Sequence, residues 1–237
     1  MKFVLRQARR FTFSAAAAAI VITSSCGSEK LLSVQFNDEP VDSIPKTDQE
    51  VGKCRVGDPI GQFGQVRIKH LPLSGNGNWI QLTQQAGAPP AKFRCTFIAS
   101  RGDGRYLVTF RLFIPSGNAA LILFQSGTFQ PPTEFFTLDL PASGILSAPG
   151  SSSIAGRFPH DAIFSVAVNL EIGEASKVEV TLLGNAHGSF TADVASSVKD
   201  VARTFSVIQL TTDTKTPGST FFANDLSALF TPPSTRR

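Results

Sequence analysis

This chain of 237 residues is poor in the side chains that do chemistry: one Trp, one Tyr, one Met, three His and three Cys, beside 20 Phe. The histidines His70, His160 and His187 have no partner at i+2 or i+4, which excludes a metal site built on strand or helix spacing. Serine hydrolases hold their nucleophile on an elbow such as G-x-S-x-G, and the serine-rich stretch "APGSSSIAG" does not fit it. Glycosidases need two carboxylates at a fixed separation. Glu134 and Asp139 share one strand-like run, but five apart they are expected on opposite sides of it. No apolar run reaches the roughly 20 residues that a spanning helix needs.

What is present begins with export. Residues 1–25 have a basic start (Lys2, Arg6, Arg9, Arg10), an apolar run from Phe11 to Thr23, and the small residues Ser24 and Ser25 before Cys26. That order is a secretory signal, cut after a small residue or left as a short anchor. Ile22-Thr23-Ser24-Ser25-Cys26 resembles the lipobox of bacterial lipoproteins, with Thr23 where that family usually has an aliphatic residue. The resemblance implies cleavage after Ser25, a diacylglyceryl thioether on Cys26 and acylation (palmitate) of the new amino terminus. Several chains give stable anchoring where one gives only marginal binding. Gly27 and Ser28, rather than aspartate, follow Cys26, which in this family implies the outer membrane of a two-membrane host. Arg9-Arg10-Phe11-Thr12-Phe13 also partly resembles a twin-arginine export signal.

Removing the signal changes the charge. Four of the 22 Lys and Arg and none of the 18 Asp and Glu lie in residues 1–25, so the mature chain carries 18 of each sign. A balanced chain without clustered cations is not expected to bind nucleic acid. Two cysteines remain, Cys54 and Cys95, and in an exported chain that pair reads as a disulfide.

From residue 51 onward the hydrophobic period is two. "FRCTFIA", "YLVTFRLFI" and "AIFSVAVNL" alternate strictly, and six further strand-like runs extend to Leu229, separated by Gly-, Pro-, Ser- and Asn-rich turns. One helix is expected around "DVASSVKDVA". Nine or more strands with almost no helix predict an all-β domain over residues 51–230, a two-sheet antiparallel sandwich or a barrel, with the sandwich as the expectation. Residues 26–50 read as the lipidated amino end and tether, with Leu31–Phe36 as a candidate edge strand, and residues 231–237 as a disordered tail.

"DAIFSVAVNLEIGEASKVEVTLLGN" reads as a long hairpin, and "STFFANDLSAL" as a closing strand with an aspartate in its middle. That pattern, over about residues 160–230, resembles the concanavalin A-like jelly roll of laminin-G, lectin and glucanase domains. The resemblance implies a final strand that pairs back toward the amino-terminal strand. The E-x-D-x-x-E run of the jelly-roll glucanases is absent. An immunoglobulin-like sandwich is the second choice, since Cys54, Trp79 and Cys95 stand in the order that fold uses.

Carbohydrate modules stack sugars on exposed Trp and Tyr. Trp79, in "SGNGNWIQ", is the one aromatic suited to ligand binding, although burial beside the Cys54–Cys95 bridge is the preferred reading. His160-Asp161 reads as a turn cap, "RGD" at Arg101–Asp103 as a hairpin turn, and Asp103 and Asp225 lack the close oxygen ligands of a calcium loop. The expectation is a lipid-anchored envelope sandwich that binds a glycan or an envelope protein, with no cofactor and no metal. Alternatives are a polysaccharide lyase or hydrolase using His160 or His187, and a purely structural lipoprotein.

Overall fold

The computed structural model describes residues 27–57, 65–73, 77–85, 87–127, 132–213 and 215–233. The signal, Ser25 and Cys26 lie outside the described residues. Fifteen strands among those residues form two antiparallel sheets. The small sheet runs β2 (Lys53–Val56), β5 (Lys92–Thr96), β14 (Phe205–Thr212), β7 (Ala120–Ser126), β8 (Thr133–Leu140). The large sheet runs β3 (Val66–His70), β4 (Asn78–Thr83), β15 (Thr220–Thr231), β6 (Gly104–Phe113), β11 (Ile163–Ile172), β12 (Lys177–Gly184), β13 (His187–Asp193), β10 (Ile154–Arg157), β9 (Ile145–Ser147). β1 (Glu29–Val34) also pairs with β15. This is an antiparallel two-sheet sandwich, of the jelly-roll type that the resemblance implied, and the closing strand does pair back to the amino-terminal one.

Alternation decides which side chains enter the core. In β6, Tyr106, Val108, Phe110 and Leu112 are buried inward, while Arg105, Leu107, Thr109 and Arg111 point outward. Phe205 is the hub, its ring 4.8 Å from Phe97, 5.2 Å from Tyr106, 5.3 Å from Phe135 and 5.9 Å from Phe124. Burial pushes the Tyr106 phenol up to about 12, and its hydroxyl donates to the Gly102 carbonyl at 2.9 Å. At the far edge β10 crosses β13 so closely that a Cβ on Gly188 would lie 2.3 Å from the Gly156 Cα.

Several expectations change. Cys54 and Cys95 do form the disulfide, but they sit directly opposite on neighbouring strands of one sheet. The immunoglobulin bridge joins two sheets, and Trp79 here belongs to the other sheet, so that fold is excluded. The stretch 29–50, expected mainly as a tether, packs on the sandwich. Leu31, Leu32, Val34 and Phe36 are fully buried, the Asp42 N–H donates to the Ile68 carbonyl, and Glu39 accepts from the Lys46 N–H. The adjacent Leu31 and Leu32 are both buried where the pairing of β1 with β15 shifts register. The helix shrinks to a 3₁₀ turn over Ser196–Val198 and α1 (Lys199–Ala202). "RGDG" joins β5 to β6, which lie in different sheets, so it is a crossover rather than a hairpin. Arg101 pairs with Glu29, and Asp103 with Arg203 at 3.0 Å. The tail from residue 234 lies outside the described residues.

Candidate functional site on the outer face of the large sheet

β15 changes neighbour midway. Residues 220–223 pair with β4 and residues 226–230 with β1, and the register slips between Asn224 and Ser227. Asn224, 2% exposed, plugs that junction. Its carbonyl oxygen accepts from the N–H groups of Phe36 (3.3 Å) and Asp225 (2.8 Å). Its amide donates to Asn37 Oδ1 (3.3 Å) and to the Asn78 carbonyl (3.1 Å). The bulge leaves Asp225 in the left-handed region at φ 52°, a conformation that Asp tolerates better than most side chains.

Asp225 accepts a hydrogen bond from Arg111 Nη1 at 2.9 Å. The Arg111 guanidinium in turn lies 5.1 Å over the Trp79 ring, a cation–π contact. Trp79 is fully buried among Leu71, Phe113 and Phe222, on the outer side of the large sheet and away from the main core. Burial, the preferred expectation for Trp79, holds, but the place expected for it is corrected. It is not exposed to a ligand, and it is not beside the Cys54–Cys95 bridge. Its ring is the pedestal on which a half-exposed Arg111 is fixed, and the loop after β3 brings Leu71 over it.

Beyond that pair, hydrogen-bonding register tiles the face. One outward row reads Ser227, Thr109, Ala167, Thr181, Ser189 across five strands, and the next reads Leu229, Leu107, Asn169, Glu179, Thr191. The Thr109 and Ser227 hydroxyls share a hydrogen bond of 2.8 Å. A cleft of about 210 Å³ follows, lined by Arg105, Asn169, Glu171, Lys177, Glu179 and Thr191. The face thus offers an orientated Arg–Asp pair, a floor of small hydroxyls and a mixed-charge cleft. Such groups donate to and accept from hydroxyl-rich ligands.

The residues considered for catalysis do not converge. Asp161 caps the turn after β6, accepting from the Ser116 N–H at 3.2 Å and from its hydroxyl, and the Ser116 hydroxyl bond first of all holds its carboxyl below the usual range. That is the cap expected of His160-Asp161. His160 Nδ1 lies 3.2 Å from the Pro115 carbonyl, and His187 is exposed opposite Arg157 where β13 pairs with β10. Glu134 and Asp139 are a further correction. A bulge beside Phe135 and Phe136 buries both rings and returns both carboxylates to one outer face. They lie on β8 of the small sheet, whereas His160 stands in the turn before β11 and His187 begins β13, both of the large sheet. Among the described residues no group of three His, Cys, Asp or Glu gathers. Arg111 and the hydroxyl row were missed from the sequence. The aspartate in "STFFANDLSAL" was the one signal, and it is Asp225.

No family model and no curated protein matches the chain. Its fold is similar to a carbohydrate esterase of the Shiga toxin-encoding bacteriophage phi24B, at 12% identity and TM-score 0.54, over 87% of this chain and all of that one. It is also similar to the catalytic domain of a glycoside hydrolase family 131 protein from Coprinopsis cinerea, at 13% identity and TM-score 0.50, over 84% and 94% of the two chains. Against an α-L-arabinofuranosidase (11% identity, TM-score 0.47, 88% of this chain), it spans about a quarter of that enzyme, 27%. At such identities the likeness defines the class of fold: a two-sheet antiparallel jelly roll.

Proposed function

We propose that the protein is a glycan-binding module of the cell envelope, held there by lipid on Cys26, and that it binds its glycan on the outer face of the large sheet. The observation that carries the binding reading is Arg111, fixed between the Trp79 ring and the Asp225 carboxylate at the head of a row of hydroxyl side chains. An arginine held on both sides has already lost the freedom that binding would otherwise cost it, and the donors it does not give to Asp225 remain to meet sugar hydroxyls. Two structural relatives that act on carbohydrate, the phage esterase and the glycoside hydrolase domain, support the ligand class. The anchor reading rests on the signal and lipobox alone.

A soluble chain starting after Cys26 would be screened against a panel of neutral and acidic oligosaccharides, and hits titrated by calorimetry. Arg111→Lys keeps the charge and loses the fork, so affinity for a hit on this face is expected to fall about tenfold. An empty panel, or hits indifferent to both Arg111→Lys and Asp225→Asn, would sink the reading. For the anchor, intact mass of the full chain expressed in a two-membrane bacterium should show a lipid-sized gain that Cys26→Ser abolishes. A mature mass without lipid would mean a freely secreted protein.

A further inference from the structure

The chain enters the fold at one end of the sandwich. Pairing sets Glu29 beside Phe230 and Tyr106, and Arg105 beside Glu171, which faces Lys177 and then Asp193. So β1, β6 and β12 begin at this end, and β11, β13 and β15 finish there. The amino end is pinned to it. The Ser28 and Thr231 hydroxyls share a hydrogen bond of 3.0 Å, and Arg101 Nε donates to Glu29 Oε2 at 2.6 Å. Arg101 belongs to the crossover from β5 to β6, which runs beside β1, where the Ile98 N–H donates to the Leu31 carbonyl at 3.1 Å. Ile98 is 57% exposed, the most exposed large apolar side chain among the described residues. Only Gly27 and Ser28 stand between Cys26 and β1. Two extended residues reach about 7 Å, and one headgroup layer of a bilayer is about 6 Å deep. A fold that starts this soon after a lipid-bearing residue has no spacer with which to stand clear of the bilayer.

We infer that this end of the sandwich is a membrane-contact surface, seated on phospholipid headgroups by the lipid on Cys26, with the strands rising from the bilayer. The inference rests on the anchor reading above and is independent of the glycan reading. Charge does not select the surface. Lys30 pairs with Glu50 at 3.8 Å, Arg203 with Asp103 at 3.0 Å, and Lys199 donates to the Glu174 carbonyl at 2.9 Å. Cations engaged in this way do not call for anionic lipid. The short anchor sets the contact, and Ile98 adds apolar surface of the kind that an interface takes up. The consequence reaches the large-sheet face. Arg111 is six residues beyond Arg105 on β6, which places it about 20 Å further from the bilayer. The hydroxyl rows cross the strands, so a glycan laid along them runs parallel to the membrane.

The test uses the full chain expressed in a two-membrane bacterium, with its lipid verified by intact mass, in phosphatidylcholine vesicles that contain a nitroxide-headgroup lipid. Cys54 and Cys95 are paired and Cys26 is lipidated, so an introduced cysteine is the free thiol for a fluorophore. Ile98→Cys and Ala175→Cys mark the proposed contact, and both positions are exposed. Ser143→Cys marks the other end, in the turn after β8, where Gly144 approaches His160 and His160 meets Pro115. The ends are about 30 Å apart along ten-residue β11, so quenching of the first two probes is expected to exceed that of the third about threefold or more. Adding phosphatidylglycerol should leave that ratio unchanged. A spacer of about 12 Gly and Ser residues between Ser28 and Glu29, with a reach of about 20 Å, should bring the ratio toward one. Equal quenching at both ends of the lipidated parent, a ratio that needs anionic lipid, or a ratio indifferent to the spacer would each overturn the inference and leave the anchor standing. A chain without lipid on Cys26 would overturn both.

Discussion

The two outer faces of the sandwich come from the same alternation and end up chemically unlike. The large sheet presents short hydroxyls in its middle, with the Arg111–Asp225 pair at one end and a mixed-charge cleft at the other. Across the small sheet, one row reads Arg55, Arg94, Gln209, Leu123, Thr137 and a neighbouring one reads Lys92, Thr211, Leu121, Asp139. Cations collect at the β2–β5 edge and carboxylates at β8, so the face is graded by charge from one edge to the other. The equal numbers of cations and anions in residues 26–237 hide this grading. Alternation selects only which residues point outward, while strand order selects which of them meet.

The comparison can be broken most sharply at the disulfide. Its loop of 41 positions is worth roughly 4 kcal/mol in the chain-entropy account. Replacing Cys54 and Cys95 by Ser should lower the melting temperature by roughly 10 °C. Backbone amides of β2 should lose exchange protection before those of β6 and β11. Equal loss over both sheets would show that the bridge stabilises the whole domain and not the register at Arg55 and Arg94.

A smaller effect is expected at the junction that shapes the large-sheet face. Asn224→Ala removes four hydrogen bonds from a buried site, and the groups left behind cost roughly 2 to 3 kcal/mol, measurable by urea unfolding. If the bulge is held by Asn224, neutral-glycan affinity falls with it. Unchanged affinity would mean that the strand switch, and not the side chain, holds Asp225 in place.

The smallest effect lies at the acidic edge. Burial first, then the neighbouring Asp213 charge, raises the Asp139 carboxyl above its ordinary value, against the pull of Lys215. A carboxyl raised on folding favours the folded state below its unfolded value and loses that contribution as pH rises through the folded one. Asp139→Asn should therefore raise the melting temperature slightly at pH 7 and not at pH 3. A variant less stable at pH 7 than the parent would show that the Lys215 contact outweighs burial, and that the charge gradient is supported at both ends.

Much of the fold was legible because its signal is local. Tyr106, Val108, Phe110 and Leu112 declare an inward face within seven residues, and the β11–β12 hairpin is announced by two alternating runs around a short turn. β3 and β4 were not legible. "VRIKH" and "NWIQLT" are short and half polar, and their apolar residues become a pattern only when β15 lies alongside. Parity failed at Glu134 and Asp139, because a bulge inserts one residue and returns both to the same side. Trp79 misled for a related reason. A loop rich in Gly and Asn suggests exposure, and nothing near it in the chain reveals that Phe113, Phe222 and Arg111 will enclose it.

By itself the sequence determined the inward faces of β6 and β11, the pairing of Cys54 with Cys95 and the sandwich class. These depend on residue order over short spans, or on the small number of cysteines that could pair. Tertiary structure alone decided that Arg111 would rest on Trp79 and meet Asp225, and that Arg55 would stand against Arg94. Those contacts join residues 32, 114 and 39 positions apart, through strand orders and bulges set by how the two sheets close over one core, and no local period encodes them.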